Sequence, residues 1–188
     1  SNGHTWYGDI KNTNKTGGDY WVRMTIVPTL DDKGKPLQYV GICVEITDRK
    51  QAESLEKSRT HILELITKGE PLPVILNAIV KVIEQNNPDM LCSVLLLDDT
   101  GTHLLSGAAS RLPNFYNEAI HGLEIGEGAG SCGTAAFMNQ RVIVDDIQTH
   151  PYWVNYKELA RMAGLGSSWS EPIRSTKGKV LGTFAIYH

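Results

Sequence analysis

The chain has 188 residues, 41% hydrophobic and 21% charged, with a net charge of −3. That balance gives no electrostatic pull toward nucleic acid or an anionic membrane surface, so neither is an expected partner. Cys43, Cys92 and Cys132 are far apart and in no Cys-x-x-Cys pair, which argues against a disulfide framework or structural zinc and fits a reducing cytoplasm. No apolar run approaches the roughly 20 residues that cross a bilayer.

Trp6 to Ile10 reads as a short strand, closed by the turn signal Lys15-Thr-Gly-Gly-Asp19. From Tyr20 to Pro28 the residues alternate, with Tyr20, Val22, Met24 and Ile26 opposite Trp21, Arg23 and Thr25. After the turn Asp31-Asp-Lys-Gly-Lys-Pro36, a strand from Leu37 to Thr47 puts Val40, Ile42, Val44 and Ile46 on one face. The expectation is a three-stranded antiparallel meander with one apolar face and little against which to bury it.

Gly8-Asp-Ile10, Lys15-Thr-Gly-Gly-Asp-Tyr-Trp21, Ile26-Val-Pro28, Gly34 and Glu45-Ile-Thr-Asp-Arg-Lys50 resemble the C-terminal half of a PAS domain. Glu45 stands where the family's closing Asp-Ile-Thr motif has Asp. The resemblance implies that Glu45 and Thr47 tie this unit to the helix that follows. It also implies no PAS cofactor here, because the half that builds most of that family's pocket is missing. Ser1-Asn2 reads as a cloning scar, and the chain as cut at both ends.

A connecting helix is expected over 49–69, capped by Asp48 with Gln51 three residues on. Leu55, Ile62, Leu65 and Ile66 form an apolar seam interrupted at Ser58, which suits either parallel pairing into a homodimer or a plain linker. Pro71 to Gln85 is the strongest helix, with Leu72, Ile75, Leu76, Ile79, Val82 and Ile83 on one face. Met90 to Asp98 is apolar enough for a central strand, and Thr102 to Ala109 pairs back on it. A helix at Asn114 to Ile120 precedes the glycine-rich run from Gly122 to Ala136.

In that run, Gly126, Gly128, Gly130 and Gly133 are expected at positive φ or close backbone approach, with Ser131 as N-cap of a small-residue helix. Such a helix start presents free amide N–H groups. A tight joint holding an inert Cys132 is the other reading of the same residues. A strand from Arg141 to Val144, an aromatic-rich helix from Tyr152 to Ala163, and strands from Ser167 to Arg174 and Lys179 to Tyr187 complete an α+β domain. It has one antiparallel sheet with helices on one face and helical loops over the other.

Gly126-Glu-Gly-Ala-Gly-Ser-Cys-Gly-Thr-Ala-Ala136, Val142-Ile-Val-Asp-Asp-Ile147, His150-Pro-Tyr-Trp153, Trp169-Ser-Glu-Pro172 and Gly178-Lys-Val-Leu-Gly-Thr-Phe184 together resemble a GAF domain. The expected organisation is 1–48 partial PAS, 49–69 connecting helix, and 70–188 GAF domain lacking its final helix. The resemblance implies a small ligand between sheet and loops. Carried onto this sequence, it places Ser131, Cys132 and Thr134 at the helix start, Asp146, Tyr152, Trp153 and Tyr156 in a lid, and Trp169 and Glu171 on the floor. The same aromatics would equally fill a solid core. The cofactor or ligand stays unknown, since neither a cyclic-nucleotide signature nor a placed bilin cysteine is present.

The implied function is a non-catalytic sensory module feeding an output domain outside this chain: a diguanylate cyclase, a cyclic di-GMP phosphodiesterase or a histidine kinase. Gly130-Ser-Cys-Gly-Thr-Ala-Ala136 also looks like a segment of free methionine-R-sulfoxide reductase, itself a GAF protein, but that chemistry needs a resolving thiol. A ligand-free dimerisation module is the third possibility.

Overall fold

The computed structural model describes residues 4–188; Ser1 and Asn2 lie outside them. The chain divides into two compact units, one ending at His61 and one running Ile62–His188.

In the first unit, β1 (Trp6–Thr13), β2 (Asp19–Leu30) and β3 (Pro36–Glu45) pair antiparallel in that order. The first turn closes on Asn14, whose Oδ1 accepts the N–H groups of Thr16 and Gly18, while Gly17 takes φ 88°. The expected apolar face is not buried. Val40, Ile42 and Val44 are all about half exposed, and only Val22 and Ile46 of the unit's described hydrophobic residues are buried. Three strands supply no second layer to cover such a face.

The connecting helix α1 spans Thr47–Thr67 and so begins two residues before the expected start. Asp48 therefore lies in its first turn and does not cap it. Thr47 fixes the start instead: its Oγ1 accepts the Trp21 N–H at 3.0 Å, and its hydroxyl donates to Glu45 at 3.0 Å. Asp9 on β1 gathers Arg23 at 2.8 Å and Lys50 at 2.8 Å, with Arg49 at 3.9 Å. The Arg23 hydrogen bond, followed by that of Lys50, holds its carboxyl well below the usual carboxylate range. No residue of α1 is fully buried; of the seam, Leu55 and Ile66 are exposed and Ile62 and Leu65 half-buried.

The second unit opens with α2 (Leu72–Asn86), one residue off the expected span at each end. β4 (Leu91–Leu97), β5 (His103–Ala108), β6 (Leu123–Glu124), β7 (Val142–Val144), β8 (Ser168–Arg174) and β9 (Val180–Tyr187) form one antiparallel sheet in the order β6-β5-β4-β9-β8-β7. α2 covers one face, where Val80 packs with Cys92, Val94 and Ala108. Its innermost line includes the carboxylate Glu84, 4% exposed, which accepts the Cys92 N–H at 2.9 Å and the Ser110 hydroxyl at 2.9 Å. A buried acid so bonded escapes a reading based on apolar spacing.

The other face carries the larger core. Over it lie α3 (Asn114–Ile120), α4 (Gly130–Met138), a one-turn 3-10 helix (Pro151–Trp153) and α5 (Lys157–Met162). The single aromatic helix expected over 152–163 is thus two short elements, the first capped by His150, whose Nδ1 accepts the Tyr152 N–H. The α+β class, with an antiparallel sheet between α2 and a layer of helical loops, is the architecture expected from the element order.

Candidate functional site

The site is built where the glycine run turns into α4. Gly128 and Gly130 take φ 85° and 62°, which only glycine adopts without strain. Gly126 and Gly133 do not. Gly133 is needed for a different reason: an added Cβ there would sit 2.5 Å from the Ala129 side chain. The loop is folded back on the helix by the Gly128 N–H, which donates to Thr134 Oγ1 at 3.2 Å.

Helix α4 starts at Gly130 after Ala129, whose side chain makes no cap bond, so Ser131 is not the N-cap. One residue further into the helix, it turns inward and is 1% exposed. Its Oγ accepts the Trp153 indole N–H at 2.9 Å and shares a 2.5 Å hydrogen bond with Ser168. Next to it, Cys132 Sγ lies 3.5 Å from the Tyr187 hydroxyl, which also pairs with Ser93 at 3.3 Å. Tyr116 packs edge-on against Tyr187, ring centroids 6.1 Å apart. Burial first, and then the neighbouring Cys132, push both phenols above their ordinary range, so they stay protonated and neutral.

These groups border a partly open hollow lined by Ser131, Cys132, Tyr116, Tyr187, Trp153 and Tyr156, together with Leu95, Ile120, Leu123, Ala129, Gly130 and Leu159. Its free volume is about 20 Å³, against roughly 10–15 Å³ for one water. The start of α4 and the 153–159 segment thus meet at a shared void, but a nearly filled one.

Four of the nine expected site residues line it: Ser131, Cys132, Trp153 and Tyr156. Thr134 is fully buried and spent on the Gly128 amide. Asp146 is exposed and closes its own loop, accepting from the Gln148 N–H and the Thr149 hydroxyl at 2.9 and 2.8 Å. Tyr152 is half-buried against the His150 ring and does not line the void.

Trp169 and Glu171 are not its floor, because the pleat of β8 turns them to the opposite face of the sheet. There Trp169 packs edge-on against Phe184 and under Arg141, while Glu171 bridges Arg141 and Arg174. The residues that β8 sends inward are Ser168 and Ser170, both buried. Sequence reading missed Tyr116, Ser168 and Tyr187; the two-residue alternation of β8 and β9 was the signal that could have found the last two.

The same pleat separates the thiols. Cys132 belongs to the core beneath α4, whereas Cys92 belongs to the cluster under α2 on the other side of the sheet. Burial, followed by the nearby Glu84 carboxylate, pushes the Cys92 thiol up to about 11. Among the described residues, no cluster of three or more His, Cys, Asp or Glu side chains could hold a metal, and no helix is long and apolar enough to cross a membrane.

The methyl sulfide methyltransferase-associated sensor of Methanosarcina acetivorans is 40% identical over 157 residues, which are 84% of this chain and 16% of that protein. A blue-light-activated histidine kinase of Rhizobium johnstonii is 26% identical over 88 residues, 46% of this chain and 26% of that protein. The chain therefore spans only a small part of the curated relatives it matches. Among solved structures, free methionine-R-sulfoxide reductase from Neisseria meningitidis superposes with a TM-score of 0.54 at 17% identity, covering 72% of this chain and 71% of that one. That likeness is one of fold. The family model for the GAF domain matches residues 69–188, the stretch that builds the six-stranded sheet, the glycine turn and the hollow, and the chain belongs to the GAF domain family.

Proposed function

We propose that this chain is a sensory and regulatory module that reports occupancy of the hollow beneath α4 and is not itself an enzyme. The observation that supports this reading is the void of about 20 Å³ at the meeting of the α4 start with Trp153 and Tyr156. A ligand larger than water has to displace that segment to enter, so empty and loaded states differ in conformation. A difference of that kind is what a signal requires.

The 40%-identical relative is named a sensor and the second relative a histidine kinase. They favour a histidine kinase as output over a diguanylate cyclase or a cyclic di-GMP phosphodiesterase. The meander and α1 belong to the same reading as the end of a PAS domain and its signalling helix, with the Trp21–Thr47–Glu45 bonds as the tie between them. The exposed Leu55 and Ile66 of α1 would pair with a second copy in a cytoplasmic homodimer.

Native mass spectrometry of the purified protein, with a thermal-shift screen of small molecules, tests the reading. A bound molecule that raises the melting temperature and perturbs Trp153 supports it. A dimer by analytical ultracentrifugation that no compound stabilises would refute it and leave a mechanical dimerisation module. Turnover of free methionine-R-sulfoxide with a thiol reductant, lost in Cys132→Ser, would instead make the chain a reductase. That outcome is disfavoured by Cys92 lying across the sheet from Cys132.

A further inference from the structure

Helix α1 has almost nothing apolar to hold its start to the meander it leaves. Of residues 47–57 only Thr47 and Lys50 are half-buried, and the others, Leu55 among them, are exposed. The first helical hydrogen bond, from the Lys50 N–H to the Ile46 carbonyl at 3.0 Å, therefore closes a turn whose two sheltered side chains are both polar. Polar ties set the direction in which α1 leaves the sheet, and there are two. One is uncharged, the Thr47 hydroxyl between the Trp21 N–H and Glu45. The other is Asp9.

Asp9 stands directly opposite Arg23 in the β1–β2 register and holds it with both oxygens, Oδ1 at 2.8 Å from Nε and Oδ2 at 3.2 Å from Nη2. The same Oδ2 takes the Lys50 ammonium at 2.8 Å, and that ammonium also lies 5.3 Å from the centroid of the Trp21 ring. Arg49 reaches Asp9 only at 3.9 Å and is nearer to Glu53, at 3.4 Å. The Asp9 and Lys50 side chains are 20% and 29% exposed, against 47% for each arginine, so solvent screens the Lys50 contact least. Arg49 and Lys50 also occupy the first turn of α1, where the helix dipole favours acids such as Asp48 and disfavours cations. A carboxylate supplied there by β1 grips the turn and offsets its charge together.

From this we infer that Asp9 is the catch of a charge-operated hinge at Ile46–Lys50: paired, it docks the first turn of α1 on the β1–β2 hairpin, and neutralised or screened, it frees that turn to fray and α1 to change direction. The hinge needs only the first unit, while its part in signalling rests on the reading of α1 as a relay. Asp9 is thus a positioning residue acting through Lys50.

Hydrogen exchange of the full chain, read by mass spectrometry over residues 50–55, tests the hinge, with the β2 amides as control for an intact sheet. The Debye length shrinks from about 30 Å at 0.01 M salt to about 3 Å at 1 M, so these two conditions bracket the screening. At the lower salt, Asp9→Asn is expected to speed exchange over 50–55 by at least about threefold. Raising the salt should bring wild type toward the variant and leave the variant where it is. Lys50→Met, which keeps an apolar stem and lacks the charge, should reproduce the effect, and the double variant should add little to either single one.

Unchanged exchange over 50–55 in Asp9→Asn, with β2 still protected, would overturn the hinge. An equal salt response in wild type and Asp9→Asn would trace it to other charges and overturn the role of Asp9. Effects of Asp9→Asn and Lys50→Met that simply add would show two separate contacts and no catch. Should Asp9→Asn also release β2, Lys50→Met decides, because Lys50 belongs to the helix and not to the sheet. Faster exchange confined to 50–55 in that variant upholds the hinge, whereas loss across β2, or no change at all, sinks it.

Discussion

Ser131 and Ser168 share one hydrogen bond, yet replacing each by alanine should have very different consequences. Ser131 Oγ is the centre of the cluster, holding the Trp153 indole N–H at 2.9 Å and the Ser168 hydroxyl at 2.5 Å, all three side chains being at least nine-tenths buried. Ser131→Ala strands both partners away from water, at about 1–3 kcal/mol for each unsatisfied group, or about 2–6 kcal/mol together. Ser168→Ala removes one bond and leaves Ser131 still accepting from the indole, at a cost of about 0.5–1.5 kcal/mol.

With a urea slope of about 2 kcal/mol per molar, the midpoint falls by about 1–3 M in the first variant and by less than about 0.8 M in the second. Equilibrium unfolding followed by tryptophan fluorescence, in a background with Trp6→Phe and Trp21→Phe, confines the signal to the second unit. Adding Trp153→Phe removes one of the stranded partners, so Ser131→Ala should cost less in that background than alone. Equal midpoints for the two serine variants, or a larger fall for Ser168→Ala, would refute the assignment of Ser131 as the hub.

Gly182 pairs with Leu96 and Ile173 in the middle of the sheet, and an added Cβ would run into the Leu95 carbonyl oxygen and lie 3.0 Å from Leu96 Cα. Gly182→Ala should therefore cost about 3 kcal/mol or more, and a midpoint within about 0.5 M of wild type would show that the strands can separate to admit it. The buried hydroxyls of Ser170 and Thr183 have no partner among the described residues, so Ser170→Ala and Thr183→Val should leave stability unchanged or raise it by up to about 1 kcal/mol each; a loss of that size would mean they are bonded. Alkylation at pH 8 should modify the exposed Cys43 and spare Cys92 and Cys132 until the chain unfolds, as mass spectrometry would read directly. The Cys92 thiol is held neutral up to about 11, above an unfolded value of about 8.5. Its contribution to stability is therefore complete below the unfolded value and is lost as pH rises toward 11; Cys92→Ala should flatten that alkaline decline.

Much of the fold was legible because its signals are local. Alternation marked the strands, turn chemistry at Lys15–Asp19 and Asp31–Pro36 marked the hairpins, and apolar spacing marked α2. What failed depends on partners distant in sequence. β6 is two residues long and exists only through its pairing with His103 and Leu104. Glu84 sits among hydrophobic residues where it accepts the Cys92 amide of β4 and the Ser110 hydroxyl, partners that apolar spacing does not reveal. The exposure of Val40, Ile42 and Val44, by contrast, follows from the element count alone, since a three-stranded meander has little against which to bury one apolar face.

The candidate site divides along the same line. Ser131 and Cys132 could be placed from their own loop, and Trp153 and Tyr156 from the aromatic cluster beside it. Trp169 and Glu171 were placed on the floor by the family resemblance of the Trp169-Ser-Glu-Pro172 run, which does not say which face each residue takes. A strand, however, gives each residue its face by parity, not by chemistry. Ser168 and Ser170 lie on the side of α4, and one step along the chain Trp169 and Glu171 lie on the side of Arg141 and Phe184. The parity that deprives the hollow of its only expected carboxylate from β8 also leaves its walls uncharged. The place of Glu171 outside the hollow and the absence of charged side chains from its lining are therefore two consequences of one register.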